Sequence, residues 1–343
     1  MLSELIVSPA PHISQRLSTR IVMMDVIIGL SPAFIASVIF FRAYAVILTA
    51  TCIISSVFTE FLCNLLLKKK NPFDSLGDLS AIVTGMILAF SVPPILPVWA
   101  AIIGSVFAIA VGKMVFGGLG ANIFNPAMVG RAFLTLSFGM MMTTWTVPAT
   151  INPDMPTIVT SSESNVDART QATPLALSKQ AIKSGQGAQI VNEQLKDLFY
   201  GQVGGCVGET SALALLIGGL YLLARKTITI HTPLAVILAT YIIAQTANLL
   251  NPNANISPWA HLCSGGLLIG AFFIATDPVT SPLTTRGQWI FGIGVGGLTM
   301  LIRLAGGYPE GVMFSVLMMN ALTPLIDRFT MIIPVGGKPN VQG

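Results

Sequence analysis

Charge is what this sequence has least of. Only 9% of its 343 residues are Asp, Glu, Lys or Arg, while 53% are hydrophobic. A soluble globular domain typically carries about 25% charged residues, so the surface of a soluble fold this long could not be hydrated. Mean hydropathy is +0.77, and the solvent that suits it is lipid, where a helical span takes roughly 20 apolar residues. Cysteine and histidine are scarce as well. Cys52, Cys63, Cys206 and Cys263 form no CxxC pair and no metal-ligand spacing. Three of them lie in apolar segments, where cysteine behaves as a small hydrophobe. His12, His231 and His261 have no serine elbow or carboxylate partner in sequence, which leaves no nucleophilic enzyme constellation. The net charge of +4 comes from basic residues scattered between apolar runs, with no stripe or arm, and this excludes nucleic acid as a partner. The N-terminal MLSELIVSPAPHISQRLSTR is too polar for a signal-peptide core. Membrane entry is expected through the first apolar run, which starts at Ile21.

Ten apolar blocks are present, at about 21–41, 43–67, 79–97, 99–116, 127–144, 209–224, 230–250, 262–276, 288–304 and 311–326. Backbone groups in hydrocarbon need partners within their own segment, so each block is expected to be helical. The fold class that follows is an all-α polytopic membrane protein with about ten transmembrane helices. Several blocks are short or interrupted by glycine and proline, such as LCSGGLLIGAFFIAT before Asp277-Pro278. Interrupted helices are tolerated where they pack on protein or line a cavity.

Orientation follows from the lysine and arginine bias. With the N-terminus in the cytoplasm, inner segments hold Arg16, Arg20, Lys68, Lys69, Lys70, Lys113, Arg225, Lys226, Arg286, Arg328 and Lys338, against Arg42 and Arg303 in short outer loops. This predicts a cytoplasmic arm (1–20), a first five-helix half (21–144), an extracytoplasmic loop (145–208), a second five-helix half (209–330) and a cytoplasmic tail (331–343). The outer loop holds nine of the chain's charged residues and is far longer than most connections in a bundle. Its far end, VNEQLKDLFYGQVGGCVGETS, predicts a short surface helix and a glycine-rich return. Five spans on each side of the loop suggest an inverted repeat. Gly85 and Pro93 match the spacing of Gly270 and Pro278, and Gly117-Gly118 and Gly306-Gly307 precede the fifth and tenth blocks.

Ionisable residues in or beside spans are candidates for function, since desolvating them is costly. Here they are Asp25, Glu60, Arg131, Glu209, Asp277 and Arg303. Asp25 reads as a snorkelling carboxylate near the cytoplasmic boundary, and Arg303 as a marker of the outer interface. Glu60, about two turns inside, is the best single candidate for an ion or proton path, with pairing to a neighbouring helix as the competing role. Asp277 suits the end of a half-helix or a turn. The glycines of GGLGAN (117–122) follow no predicted strand, so they read as close helix packing and not as a nucleotide fingerprint. On these grounds alone, a solute channel or transporter leads.

Particular motifs change that ranking. Thr170-Gln171-Ala172-Thr173 resembles the [ST]-G-A-T signature at which FMN is joined by a phosphoester bond to the last threonine; Gln171 stands where glycine is usual. Asp167 and Pro174-Leu175-Ala176 resemble its flanks. Ser8-Pro9 with Pro11-His12, the run Phe124–Gly130 (FNPAMVG), Gly208-Glu209-Thr210-Ser211, Thr276–Pro282 (TDPVTSP), Tyr308-Pro309-Glu310-Gly311 and Asn320–Pro324 (NALTP) resemble further blocks in the same order. Together they are similar to the NqrB/RnfD family of the Na+-NQR and Rnf respiratory complexes, and within it to the RnfD pattern, which lacks NqrB's longer N-terminal extension.

The resemblance implies a membrane subunit of a ferredoxin/NAD oxidoreductase complex coupled to Na+ or H+ translocation, with an inverted-repeat fold like that of urea transporters. It implies covalent FMN on Thr173, flanked by Thr170, Gln171 and Ala172, on the outer face of a bacterial cytoplasmic membrane. It also implies a flavin transferase for maturation and other subunits of the complex as partners, including a second FMN-bearing subunit and iron–sulfur subunits. A noncovalent riboflavin is expected by analogy with NqrB, with Asn125, Glu209 and Asp277 as candidate second-flavin or packing residues. No catalytic residue and no metal site are expected in this chain by itself.

Overall fold

The computed structural model describes residues 18–68, 73, 75–145, 173–185 and 188–331. Every element among the described residues is helical. In chain order these are α1 (Thr19–Phe41), α2 (Ala43–Leu66), a 3-10 turn (Ser75–Asp78), α3 (Ser80–Phe90), α4 (Val98–Ile109) running into a π turn (Ala110–Met114), α5 (Pro126–Ser137) and α6 (Gly139–Met142). Within the long connection come α7 (Pro174–Ser184), α8 (Ala188–Glu193) and α9 (Leu195–Tyr200). The second half holds α10 (Ala212–Ala224), α11 (His231–Leu250), α12 (Pro258–Cys263), α13 (Leu267–Ile269) with a π turn (Gly270–Ile274), α14 (Thr285–Ala305) and α15 (Val312–Phe329).

Helix starts follow local chemistry. Asn125, Thr173 and Ser257 each precede a proline, and each side chain accepts an amide hydrogen from the first turn of α5, α7 and α12 respectively. Proline at the first helical position gives up a donor that has no intrahelical partner anyway. Ser18, Ser211 and Thr284 cap α1, α10 and α14 in the same way.

Among the described residues five helices are long and apolar enough to cross a membrane: α1, α2, α11, α14 and α15. α1, at 23 residues, is roughly 34 Å long at 1.5 Å per residue. The block at 79–97 contains an 11-residue helix, α3, and then a turn region. The block at 262–276 is broken at Ser264–Gly266 into α12 and α13. These short pieces are enclosed by longer helices: every residue of α3 except Ile82 is buried, as are all those of α13 and its π turn.

The two halves pack in a corresponding order. α2 lies against α3 and α4, and α11 against α12 and α14; α4 packs on α5, and α14 on α15. α1 meets α10 and α5 meets α15 across the halves. The α1–α10 crossing depends on glycine: a Cβ on Gly218 would lie 1.9 Å from the Gly29 carbonyl oxygen. The glycines matched in sequence do not share neighbours, since Gly85 abuts Ile53 of α2 whereas Gly270 abuts Val312 of α15. The expected short surface helix is α9. It is not free in solvent: Leu198 is buried with Val191, Ile256 and Ala260, which ties the loop to α12.

Candidate functional site

Thr173 is the residue that the motif marks as a cofactor anchor. It is the N-cap of the 11-residue α7, and its Oγ1 accepts from the Ala176 amide at 3.1 Å. It lines a cleft with Trp145, Arg131, Glu209, Cys206 and Glu310, while Gly204, Gly205 and Gly265 form other parts of the wall. Thr170, Gln171 and Ala172 lie outside the described residues, as do Ser8 through His12. Two features of the cleft fit a tethered flavin phosphate. The helix N-terminus carries positive partial charge and amide donors, which favour a phosphate group. A phosphoester on Oγ1 would also present oxygens that can accept from the first-turn amides in charge-assisted bonds.

The cleft is built on two ion pairs. The Arg131 guanidinium on α5 donates to Glu209 Oε1 at 2.8 Å, and both side chains are buried. Among the described residues its other terminal nitrogen reaches only a thiol, Cys206 Sγ, at 3.6 Å. Arg303 on α14 donates to the carbonyls of His261 (2.6 Å) and Ser264 (3.0 Å) and to Glu310 Oε1 at 3.3 Å. Arg303 therefore does not mark an exposed interface: it is 2% exposed and holds the broken end of α12. Glu310 also accepts from the amides of Gly266, Gly311 and Val312. Burial alone would raise its carboxyl, but the Arg303 and Arg131 guanidiniums and these amides outweigh that and hold it below its ordinary value. Burial, followed by the Glu209 carboxylate, pushes the Cys206 thiol well above its ordinary value, so it stays a neutral thiol.

The Gly265-Gly266 break is where these groups meet. Gly265 has φ +62, and a Cβ there would lie 1.8 Å from Glu310 Oε2. A Cβ on Gly266 would lie 2.7 Å from Glu209 Oε1. The two carboxylates thus flank one dipeptide, and the left-handed backbone at Gly265 favours glycine there. α7 is fastened to the same region, since Lys179 Nζ donates to the carbonyls of Ile302 (3.1 Å) and Gly306.

A second cavity lies beside the first turns of α1. Val22, Met23 and Val26 line it, together with Ser80, Lys113, Asn122, Asn125, Thr276 and Asp277. Asn125 and Asp277 therefore share a site, and Glu209, grouped with them in sequence, belongs to the Thr173 cleft. Asp277 accepts from the Val279 amide and the Thr280 hydroxyl, at the turn after the second π segment. Asn125 receives the α5 amides on Oδ1, and its own N–H donates to Asn320 Oδ1 at 3.2 Å.

Glu60 has a partner. Lys113, on the first π turn, donates to Glu60 Oε1 at 2.8 Å and to Ser80 Oγ at 2.6 Å, with both charged side chains 1% exposed. π turns are frequent at functional sites. Lys113 is thus not a surface charge of a cytoplasmic loop. Setting aside Lys113 and Arg303 leaves ten basic residues in the segments expected inside and Arg42 in the short loops expected outside, so the expected bias keeps its sign. Asp25 is likewise not snorkelling: it is 6% exposed and receives Thr227 Oγ1 at 2.8 Å and Arg225 Nε at 3.3 Å, which joins the start of α1 to the end of α10. Sequence reasoning missed Lys113 and Glu310 as site residues. Glu310 was visible only inside the Tyr-Pro-Glu-Gly block, and Lys113 had no local signal.

The family model described as NQR2, RnfD, RnfE matches residues 6–336. The chain is 45% identical over 329 residues to the D subunit of the Na(+)-translocating ferredoxin:NAD(+) oxidoreductase complex of Acetobacterium woodii, covering 95% of this chain and 93% of that one. It is 41% identical over 343 residues to the D subunit of the proton-translocating ferredoxin:NAD(+) oxidoreductase complex of Clostridium ljungdahlii, covering 97% and 96%. It is 36% identical over 354 residues to the D subunit of an ion-translocating oxidoreductase complex of Vibrio cholerae, covering 98% and 99%.

Proposed function

Because this chain belongs to the NQR2, RnfD, RnfE family, we propose that it is a membrane subunit of a multisubunit ion-translocating ferredoxin/NAD oxidoreductase. In that role it carries FMN in phosphoester linkage on Thr173 as an electron relay. The observation that carries this reading is the position of Thr173: the N-cap of α7, in the wall of a cleft that also holds the buried Arg131–Glu209 ion pair. The bound flavin would supply one-electron redox chemistry. The protein supplies position and electrostatics. Thr173 is the attachment point, the N-terminus of α7 holds the phosphate, and Lys179 and Leu198 fix α7 and α9 to the membrane part. A covalent tether lets a shallow cleft retain a ring that no deep pocket encloses.

In the same reading, ten spans form two inverted five-helix halves like those of urea transporters, supported by the matching order of helix contacts. Both termini face the cytoplasm of a bacterial cell and the Thr173 cleft faces outward, supported by the basic bias. A noncovalent flavin in the second cavity would meet Asn125, Asp277 and Lys113, and the Glu60–Lys113 pair beside it is the proposed element of the Na+ or H+ path. The other subunits and a flavin transferase are the partners.

The test is in-gel flavin fluorescence of the chain expressed with its flavin transferase. A fluorescent band that Thr173→Ala abolishes supports the reading. Fluorescence that survives Thr173→Ala places the flavin elsewhere.

A further inference from the structure

Among the described charged residues lining the Thr173 cleft, Arg131 is the one cation; Glu209 and Glu310 are the others. Its guanidinium is 5% exposed and is held by Glu209 through one terminal nitrogen. Among the described residues the other terminal nitrogen has only the weak acceptor Cys206 Sγ. Guanidinium is a planar fork of five donors that stays charged. Here it presents unspent donor capacity in a buried wall, where a charge acts far more strongly than in water. Arg303 is spent differently, on two carbonyls and Glu310.

We propose that Arg131 is the positioning residue that sets the midpoint potential of the tethered flavin, by opposing the negative charge gained by the isoalloxazine on reduction. This rests on the assignment of FMN to Thr173. In the step at issue, one electron enters the ring from an external one-electron donor. The ring gains one negative charge, no covalent bond forms or breaks, and Arg131 keeps its proton. Glu209 is the opposing half: it holds one terminal nitrogen of the guanidinium and offsets part of its field. Removing either member therefore shifts the balance between oxidised and reduced flavin in opposite directions. A residue that merely held the fold together would not produce opposite signs.

The experiment is a spectroelectrochemical titration of the purified, covalently flavinylated complex, with dithionite as reductant and mediator dyes. Arg131→Gln is expected to weaken the reduced form at least about tenfold, or about 59 mV for a one-electron couple. Glu209→Gln is expected to strengthen it, the double variant to fall between, and Arg131→Lys to restore most of the loss. In-gel fluorescence of the same samples reports attachment. A fluorescent Arg131→Gln band with an unchanged potential overturns the proposal. So does a shift of the same sign in both single variants, or a loss of attachment in Arg131→Gln with no shift in the remaining flavin, which would assign Arg131 to the phosphate. A dark wild-type band refutes the Thr173 assignment instead, so the two failures are told apart.

Discussion

Removing Lys113 is the perturbation whose size the structure fixes best. Its ammonium donates to Glu60 Oε1 at 2.8 Å and Ser80 Oγ at 2.6 Å, with both members of the ion pair 1% exposed. Glu60 Oε2 has no hydrogen-bond partner among the described residues. Lys113→Met therefore leaves a buried carboxylate without its counter-charge. Breaking one side of a buried pair typically costs about 3–5 kcal/mol. Glu60→Gln keeps an acceptor opposite Lys113 but loses the charge, so its cost should fall at the lower end of the same range of about 3–5 kcal/mol. Replacing both, as Glu60→Leu with Lys113→Met, should be near neutral or stabilising by about 1–4 kcal/mol. The assay is thermal unfolding of the detergent-solubilised chain followed by size exclusion, run as a double-mutant cycle. Ion pumping by the reconstituted complex is measured beside it. If Lys113→Met melts with the wild type, the pair is not buried as described. If Glu60→Gln pumps normally, Glu60 leaves the ion path.

Three further outcomes follow from individual contacts. Thr173→Ala should weaken the start of α7 by about 0.5–2 kcal/mol through loss of the N-cap, read as faster exchange of the Ala176 and Leu177 amides, whereas Thr173→Ser should retain the cap. Gly218→Leu should abolish a monodisperse fold on size exclusion, because its first side-chain atom would lie 1.9 Å from the Gly29 carbonyl oxygen; an intact monodisperse peak would refute the close α1–α10 crossing. Glu310 titrates below its ordinary 4.5 despite burial, held down chiefly by Arg303. Its contribution to stability is thus full above that value and is lost as pH falls through the lower folded value. Acid unfolding below about pH 4.5 should be less steep in Glu310→Gln, and an identical acid limb would contradict the assignment.

The apolar runs announced the helices where they are long and uninterrupted, as at 21–41 and 43–67, and capping residues such as Asn125-Pro126 and Ser257-Pro258 mark helix starts. The breaks were less legible. A glycine pair in LCSGGLL reads equally as close packing, and only the carboxylates arriving from residues 209 and 310 show why the chain opens there. Thr173 stands out in the sequence as a candidate because its motif is local; its cleft does not, since the walls come from segments up to 179 residues apart (Arg131 to Glu310). Lys113 misled for a physical reason. A lysine at the end of an apolar run resembles an interfacial charge until a second helix is seen to supply Glu60. Asp25 and Arg303 misled in the same way, their partners lying on α10 and beyond the end of α14.

Everything proposed for the cleft depends on a flavin carried covalently by Thr173. Intact-mass measurement of the chain isolated with its flavin transferase decides that point. The expected mass is that of the polypeptide plus one FMN less one water, with the added mass mapped by fragmentation to Thr173. A chain of unmodified mass, or an FMN mapped to any other residue, would contradict it.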